Sequence, residues 1–181
     1  MRMQAADAVL FSQRLRWTRE SFEELLGLDA FQDVKLELVR GEVVVKEIQK
    51  PPHANLIEEL TERLTPALVG NARVRIRLPL VVDDETQLMP DVAVVDRRTS
   101  KRDHPFSALL VIEVSDTTAR YDRLVKAPLY AQARVREYWR IDLGKRVVEV
   151  FNGRRATHSK GTLAVPGFPA VTIQIEELFD S

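Results

Sequence analysis

Apolar and polar residues along this chain follow two periods, and the switches between them mark out the elements. From Trp17, Thr18 reads as an N-cap, with Phe22, Leu25 and Leu26 spaced for one helical face and Gly27 as the stop. The run KLELVRGEVVVKE from Lys35 alternates with period two on both sides of Arg40-Gly41, which predicts a hairpin. Within it Leu36 and Leu38 share one face, and Glu37 shares the other with Lys35 and Val39. Pro51-Pro52 opens a helix whose apolar face is Ile57, Leu60, Leu64 and Leu68, with Gly70 as its stop. Pro66 inside that pattern is expected to kink the last turn or end the helix early.

A long strand, ARVRIRLPLVVDD, is then predicted, with Val74, Ile76, Leu78 and Leu80 alternating against Arg73, Arg75 and Arg77. DVAVV and LLVIEV are short and apolar enough to be strands buried on both faces. A polar turn (Ser115, Asp116, Thr117, Thr118) leads into a helix carrying Asp122 and Lys126 and disturbed by Pro128. EYWRID, a Gly144 turn and VVEVF follow, closing on Asn152-Gly153. The rest reads as short strands (RRATHSK, TLAV, AVTIQI, the last two joined at Pro166-Gly167) and a terminal helix, EELF. Strands dominate, so the pattern predicts a mixed α/β or α+β sheet with helices packed on it.

Composition narrows the function classes. The 181 residues suit one domain, read as 17–181 behind a loose lead, 1–16. Lys plus Arg and Asp plus Glu are both 27, which excludes a strongly basic nucleic-acid coat but allows a local basic patch. There is no cysteine, so disulfides, thiolate metal sites and thiol nucleophiles are excluded. No apolar run reaches the roughly 18 residues of a membrane span. The start shows no signal-peptide pattern, so a cytoplasmic protein is expected.

The candidate chemistry lies mainly between Asp91 and Lys126. Glu113 stands inside an apolar strand, which is costly unless something pairs with it, an arginine being the plain structural answer. Asp91 stands at the mouth of another strand, where Pro90-Asp91 also fits a simple turn. Lys126 is either an exposed helical lysine or a group reaching back to the strands. Glu37 lies on a solvated face or points into a cleft. His53, in the first turn of its helix, reads as a capping or accessory group, and Asp122 as an N-cap. Arg73, Arg75 and Arg77 line one strand face, either a solvated surface or a phosphate-facing stripe that binds nucleic acid. Two strand carboxylates with a lysine on the next helix suit a hard divalent cation and phosphate chemistry.

The order Pro90-Asp91, Glu113-Val114-Ser115, Asp122, Lys126, Tyr130 and Glu137-Tyr138-Trp139 resembles the restriction-endonuclease-like PD-(D/E)xK superfamily. More closely it resembles the Uma-two family of predicted endonucleases, whose early E-L-x-x-G-E hairpin is matched by Glu37 to Val43. His53 falls where that family often opens a helix with histidine, and the likeness covers roughly residues 17 to 150. It implies a restriction-endonuclease-like mixed central sheet flanked by helices, with extra C-terminal antiparallel strands. The implied activity is Mg2+- or Mn2+-dependent hydrolysis of DNA phosphodiester bonds. Asp91 and Glu113 are then the metal ligands, joined by the Val114 carbonyl, with Lys126 activating water and Glu37 supporting the site. The superfamily lysine usually stands two residues after the glutamate, where this chain has Ser115, so the resemblance implies supply from the helix. Arg134 replaces a family glycine and is expected to need another turn geometry. Exposed strand edges leave room for a homodimer or larger assembly. The alternatives are a non-catalytic nucleic-acid-binding or assembly module on the same fold, and a small-molecule phosphoesterase. Metal-dependent cleavage, rather than binding, separates them.

Overall fold

The structure is a computed structural model that describes residues 15–46, 49–115, 119–153 and 155–180. The polar turn expected at 116–118 and most of the expected lead, 1–14, lie outside these residues.

Helix α1 (Arg19–Leu26) begins at a capping box between Thr18 and Ser21 and ends at Gly27. Strands β1 (Leu36–Val39) and β2 (Glu42–Val45) form the expected hairpin, with Arg40 and Gly41 both at positive φ (50° and 76°). Two successive left-handed residues match the right-handed twist of the strands they join. Leu36 and Leu38 pack with Phe22 of α1, while Glu37 and Val39 take the opposite face. Helix α2 runs from Pro51 to Leu68 and does not end early at Pro66, which sits in its final turn.

The single long strand expected next is two strands. β3 (Ala72–Ile76) and β4 (Leu80–Asp83) belong to different sheets. Arg77 between them adopts a left-handed backbone (φ 51°), and Pro79 cannot donate to a ladder. Period-two patterning continues across such a corner, so the break is invisible to it. Strand β5 (Thr86–Leu88) was not anticipated; it completes a four-stranded sheet in the order β2-β1-β5-β4.

The central sheet has six strands in the order β10-β9-β8-β7-β6-β3. It comprises β6 (Val92–Asp96), β7 (Leu110–Ser115), β8 (Glu137–Asp142), β9 (Val147–Asn152) and β10 (Arg155–Ser159) with β3. β7 and β8 are parallel and every other neighbouring pair is antiparallel, which makes the sheet mixed. Between β7 and β8 the chain crosses through helix α3, made of α-helical Ala119–Tyr121, a π-helical turn Asp122–Lys126 and α-helical Ala127–Gln132. Asp122 is therefore inside the helix and not its N-cap. The wide turn lies just ahead of Pro128, whose ring an ordinary α-turn would drive onto the Leu124 carbonyl.

Alternation sorts the two faces of this sheet. Val92, Val94, Leu110, Ile112, Val114, Trp139 and Ile141 meet the apolar stripe of α2. The hairpin of β11 (Thr162–Val165) and β12 (Phe168–Gln174) covers the same face, and the expected terminal helix is a 3-10 turn, Glu176–Phe179. On the opposite face Ala93, Val95, Val111 and Tyr138 meet α3 and the four-stranded sheet. Glu113, by parity with Val111, points to this second face. Arg134 takes φ 55° in the turn before β8, so the arginine occupies the left-handed region that favours glycine instead of remodelling the turn.

Candidate active site

The antiparallel pairing of β6 and β7 ends at Val92↔Ile112. One residue further out, Asp91 and Glu113 come side by side at the rim of the sheet. Val114 N–H donates to Asp91 Oδ2 at 3.0 Å, tying the two strand ends together. Glu37 arrives from β1 across the second face, and Lys126 from the π turn of α3.

All of these side chains are buried. Glu113 is 3% exposed and Lys126 4%, so both depend on internal partners. Lys126 Nζ donates to Glu113 Oε1 at 2.7 Å and to Glu37 Oε1 at 3.2 Å, and Tyr130 Oη donates to the same Glu113 oxygen at 2.6 Å. Glu37 Oε1 also accepts from Met89 N–H at 2.8 Å. The plain reading of Glu113, a carboxylate paired with an arginine, is not what is found; lysines pair with it.

Asp91 is held from four directions. Oδ1 accepts from Gln49 Nε2 at 2.9 Å and Lys46 Nζ at 3.0 Å, while Oδ2 accepts from His53 Nε2 at 3.0 Å as well as from Val114 N–H. Lys46 Nζ reaches Glu113 Oε2 at 3.3 Å and the Met89 carbonyl at 2.6 Å. Asp122 faces the same region and accepts from Ser115 Oγ.

The charges set one another. Burial drives the Asp91 carboxyl upward, but the hydrogen bond from His53, the Lys46 ammonium and Val114 N–H together hold it far below the ordinary range. Burial raises Glu113, opposed by Lys126 and Lys46. Burial would lower Lys126, yet Glu113, Glu37 and Asp122 keep it charged well above the usual lysine value. Burial and the neighbouring Glu113 raise Tyr130, so its hydroxyl stays a donor.

All of these groups except Tyr130 line a cleft of about 460 Å3, together with Val44, Tyr121 and Leu143. Of the side chains singled out in the sequence, Glu37, Asp91, Glu113, Lys126 and His53 meet there. Arg73, Arg75 and Arg77 do not. Arg73 Nη2 is bound to the Thr99 carbonyl at 2.5 Å and Arg75 Nη2 to the Pro79 carbonyl at 3.3 Å. Arg77 lies beyond the end of β3, so the three do not form one strand's row.

The sequence profile of the family described as "Uma2: Putative restriction endonuclease" matches residues 19–176. This chain belongs to the Uma2 family. A solved structure described as a "putative nuclease belonging to DUF820 from Anabaena variabilis" superposes with a TM-score of 0.69 at 17% identity, over 87% of this chain and 96% of its own. Their shared fold is restriction-endonuclease-like. The type IIG restriction endonuclease BpuSI overlaps 56% of this chain and 11% of its own at 17% identity, with a TM-score of 0.36, too loose a superposition to bear on the fold. No curated protein matches the sequence.

Three members of this Uma2 site were missed in the sequence. Lys46 follows β2, and the hairpin register pairs Glu37 with Val44, so a residue two further on shares the face of Glu37. That signal was present in the alternation. Gln49 had none, since it lies in the link to α2. Tyr130 is buried like an ordinary core aromatic, but its hydroxyl serves Glu113.

The donor set can be compared with a divalent cation on its own chemistry. Among the described residues no three His, Cys, Asp or Glu side chains are grouped to hold an ion. Asp91 Oδ1 and Glu113 Oε2 nevertheless converge on one cationic atom, Lys46 Nζ. Two carboxylate oxygens aimed at one point suit a hard ion completed by water and phosphate oxygens. The residues fit such an ion once that point is free.

Proposed function

We propose that this Uma2 protein is a Mg2+- or Mn2+-dependent endonuclease that hydrolyses phosphodiester bonds in DNA. The observation that carries the reading is the convergence of Asp91 and Glu113, at the ends of adjacent strands, with Lys126 bound to Glu113 on the wall of one cleft. Membership of a family described as restriction endonucleases supports DNA as the substrate.

Asp91 and Glu113 supply the carboxylates that hold the cation, with the Val114 carbonyl beside them. The bound cation supplies Lewis-acid stabilisation of charge building on the phosphate. Lys126, fixed between Glu113 and Glu37, orients the attacking water and adds positive charge where the phosphate becomes more negative. Glu37 holds that ammonium in place and is itself anchored by Met89 N–H. His53 and Gln49 keep the Asp91 carboxylate turned toward Glu113.

The deciding experiment is calorimetric titration of Mn2+ into wild-type protein and into Asp91→Ala and Asp91→Asn, with plasmid nicking assayed on the same samples. Binding and nicking in the wild type, both lost in the variants, is the expected result. Absence of binding and nicking in the wild type, with DNA present as well, overturns it.

A second reading is favoured by Lys46, which already neutralises both carboxylates without an added ion. On that reading the protein keeps the nuclease fold as a non-catalytic nucleic-acid-binding module. It predicts DNA retention that is indifferent to divalent ions and to Asp91→Asn.

A further inference from the structure

The contacts around Asp91 leave little room for a newcomer. A carboxylate offers about four lone-pair positions. Asp91 has four donors: Gln49 and Lys46 on Oδ1, His53 and Val114 N–H on Oδ2. A cation cannot simply be added; one donor has to yield. Val114 N–H belongs to the backbone of a central strand and is not free to move. Gln49 and His53 touch Asp91 alone of the two carboxylates. Lys46 is the described side chain that touches both, and it completes its three donors with the Met89 carbonyl.

Charge and mechanics single out the same group. An arriving dication repels an ammonium and attracts the oxygens that ammonium was holding. Lys46 hangs on a flexible four-carbon stem just past the end of β2, its side chain 13% exposed where it lines the cleft. Lys126, by contrast, is buried on the far side of Glu113, on Oε1, and does not contact Asp91. The two lysines thus divide Glu113 between them, one oxygen each.

We propose that Lys46 is a tethered stand-in for the cation: its ammonium fills the point between Asp91 and Glu113, and it swings into the cleft when a divalent ion takes that point. The proposal rests on the reading of Asp91 and Glu113 as the cation site. Lys46 then sets how much free metal the site requires, because each binding event has to displace it. Its removal strengthens metal binding, the reverse of what a ligand or a simple structural residue does.

The test is calorimetric titration of Mn2+ into wild type, Lys46→Met and Lys46→Arg, with a second set of the same three proteins carrying Asp91→Asn as controls. Lys46→Met is expected to bind Mn2+ at least about tenfold more tightly than wild type. Lys46→Arg, which keeps a cation on a similar tether, is expected to bind no more tightly than wild type, and Asp91→Asn to abolish binding throughout. In wild-type protein labelled with 15N at lysine Nζ, saturating Mg2+ is expected to shift the Lys46 resonance, assigned by its loss in Lys46→Arg. The labelling measurement stands even if Lys46→Met does not fold. Equal affinity in wild type and Lys46→Met, or a Lys46 resonance unmoved by bound Mg2+, overturns the stand-in while leaving the metal site intact. No Mn2+ binding in any protein, with DNA present, overturns the metal site and the stand-in together.

Discussion

Lys126 Nζ lies 2.7 Å from Glu113 Oε1, and the lysine comes from a turn in which Ala127 N–H bonds back to Asp122 O, five residues earlier. The wide turn buries Asp122 and Lys126 together. Wide turns of this type are uncommon and gather at functional sites. The reach of Lys126 to Glu113 is therefore a matter of local winding as well as of residue type.

Replacing Lys126 with Met leaves Glu113 and Glu37 buried with one fewer cation. Breaking a buried pair from one side costs about 3–5 kcal/mol, and the denaturant midpoint should fall accordingly. Nicking by the folded fraction should drop about 100-fold or more, in the range for a lost group that stabilises developing charge. Mn2+ should still bind. Nicking at wild-type rate by folded Lys126→Met removes the lysine from the chemistry.

Tyr130→Phe keeps the ring in the core, where it packs against Tyr138 at 4.9 Å, and deletes only the donor to Glu113. Hydrogen bonds to charged groups contribute about 1.5–3 kcal/mol. A loss of that size in chemical denaturation is expected. A change below about 0.5 kcal/mol, the scatter of an ordinary surface substitution, would show that Lys126 and Lys46 satisfy Glu113 without it.

Arg140, fully buried on β8, donates to Glu149 on the paired strand at 2.9 Å and to Asp142 at 3.2 Å. Burial pushes Glu149 up, but the bonds from Arg140 and Arg123 outweigh this and bring it down from 4.5 to about 2. A lowered carboxylate binds its proton more tightly in the unfolded chain. Its stabilisation is complete above pH 4.5 and is lost as pH falls toward about 2. The stability difference between wild type and Glu149→Gln, from urea titrations, should shrink across that interval. A constant difference would place the Glu149 effect in packing instead of charge.

Arg134 is exposed and holds φ 55°. A left-handed backbone costs a residue with a side chain roughly 1–2 kcal/mol, and glycine avoids that cost at some expense in chain entropy. Arg134→Gly should therefore raise stability by about 0.5–1 kcal/mol, read from the thermal midpoint and converted with the unfolding entropy. A lowered midpoint would mean that the arginine side chain has a stabilising role of its own.

Much of the frame was legible in the sequence because burial there follows simple periods. The β1–β2 hairpin and α2 each bury a face that alternation or helical spacing announces, and β6 and β7 stand out as short apolar runs buried on both faces. The corner at Arg77 was not legible, because Val74, Ile76, Leu78 and Leu80 keep the same alternation while the chain passes from one sheet to the other. Asp122 was misread for a similar reason: an aspartate ahead of a helical run looks like a cap, and nothing local signals a wide turn. At the site, Asp91, Glu113 and Lys126 stood out as residue types in an order. Lys46 shares the face of Glu37 in the hairpin alternation, but Gln49 enters only through the fold, since Asp91 lies more than forty residues away in sequence.

Glu37 and Lys46 come from the small sheet and its edge, whereas Asp91, Glu113 and Lys126 belong to the central sheet and its crossover helix. The cleft is thus lined from two sheets that share one buried core, Val39, Leu80 and Leu88 of the smaller packing with Ala93, Val95 and Val111 of the larger, and its groups are only as well aligned as that packing. The junction of Phe22 with Leu36 and Leu38 braces the smaller sheet from behind. A substitution there shifts Glu37 and Lys46 without touching either, so a loss of cleft alignment need not begin at a cleft residue.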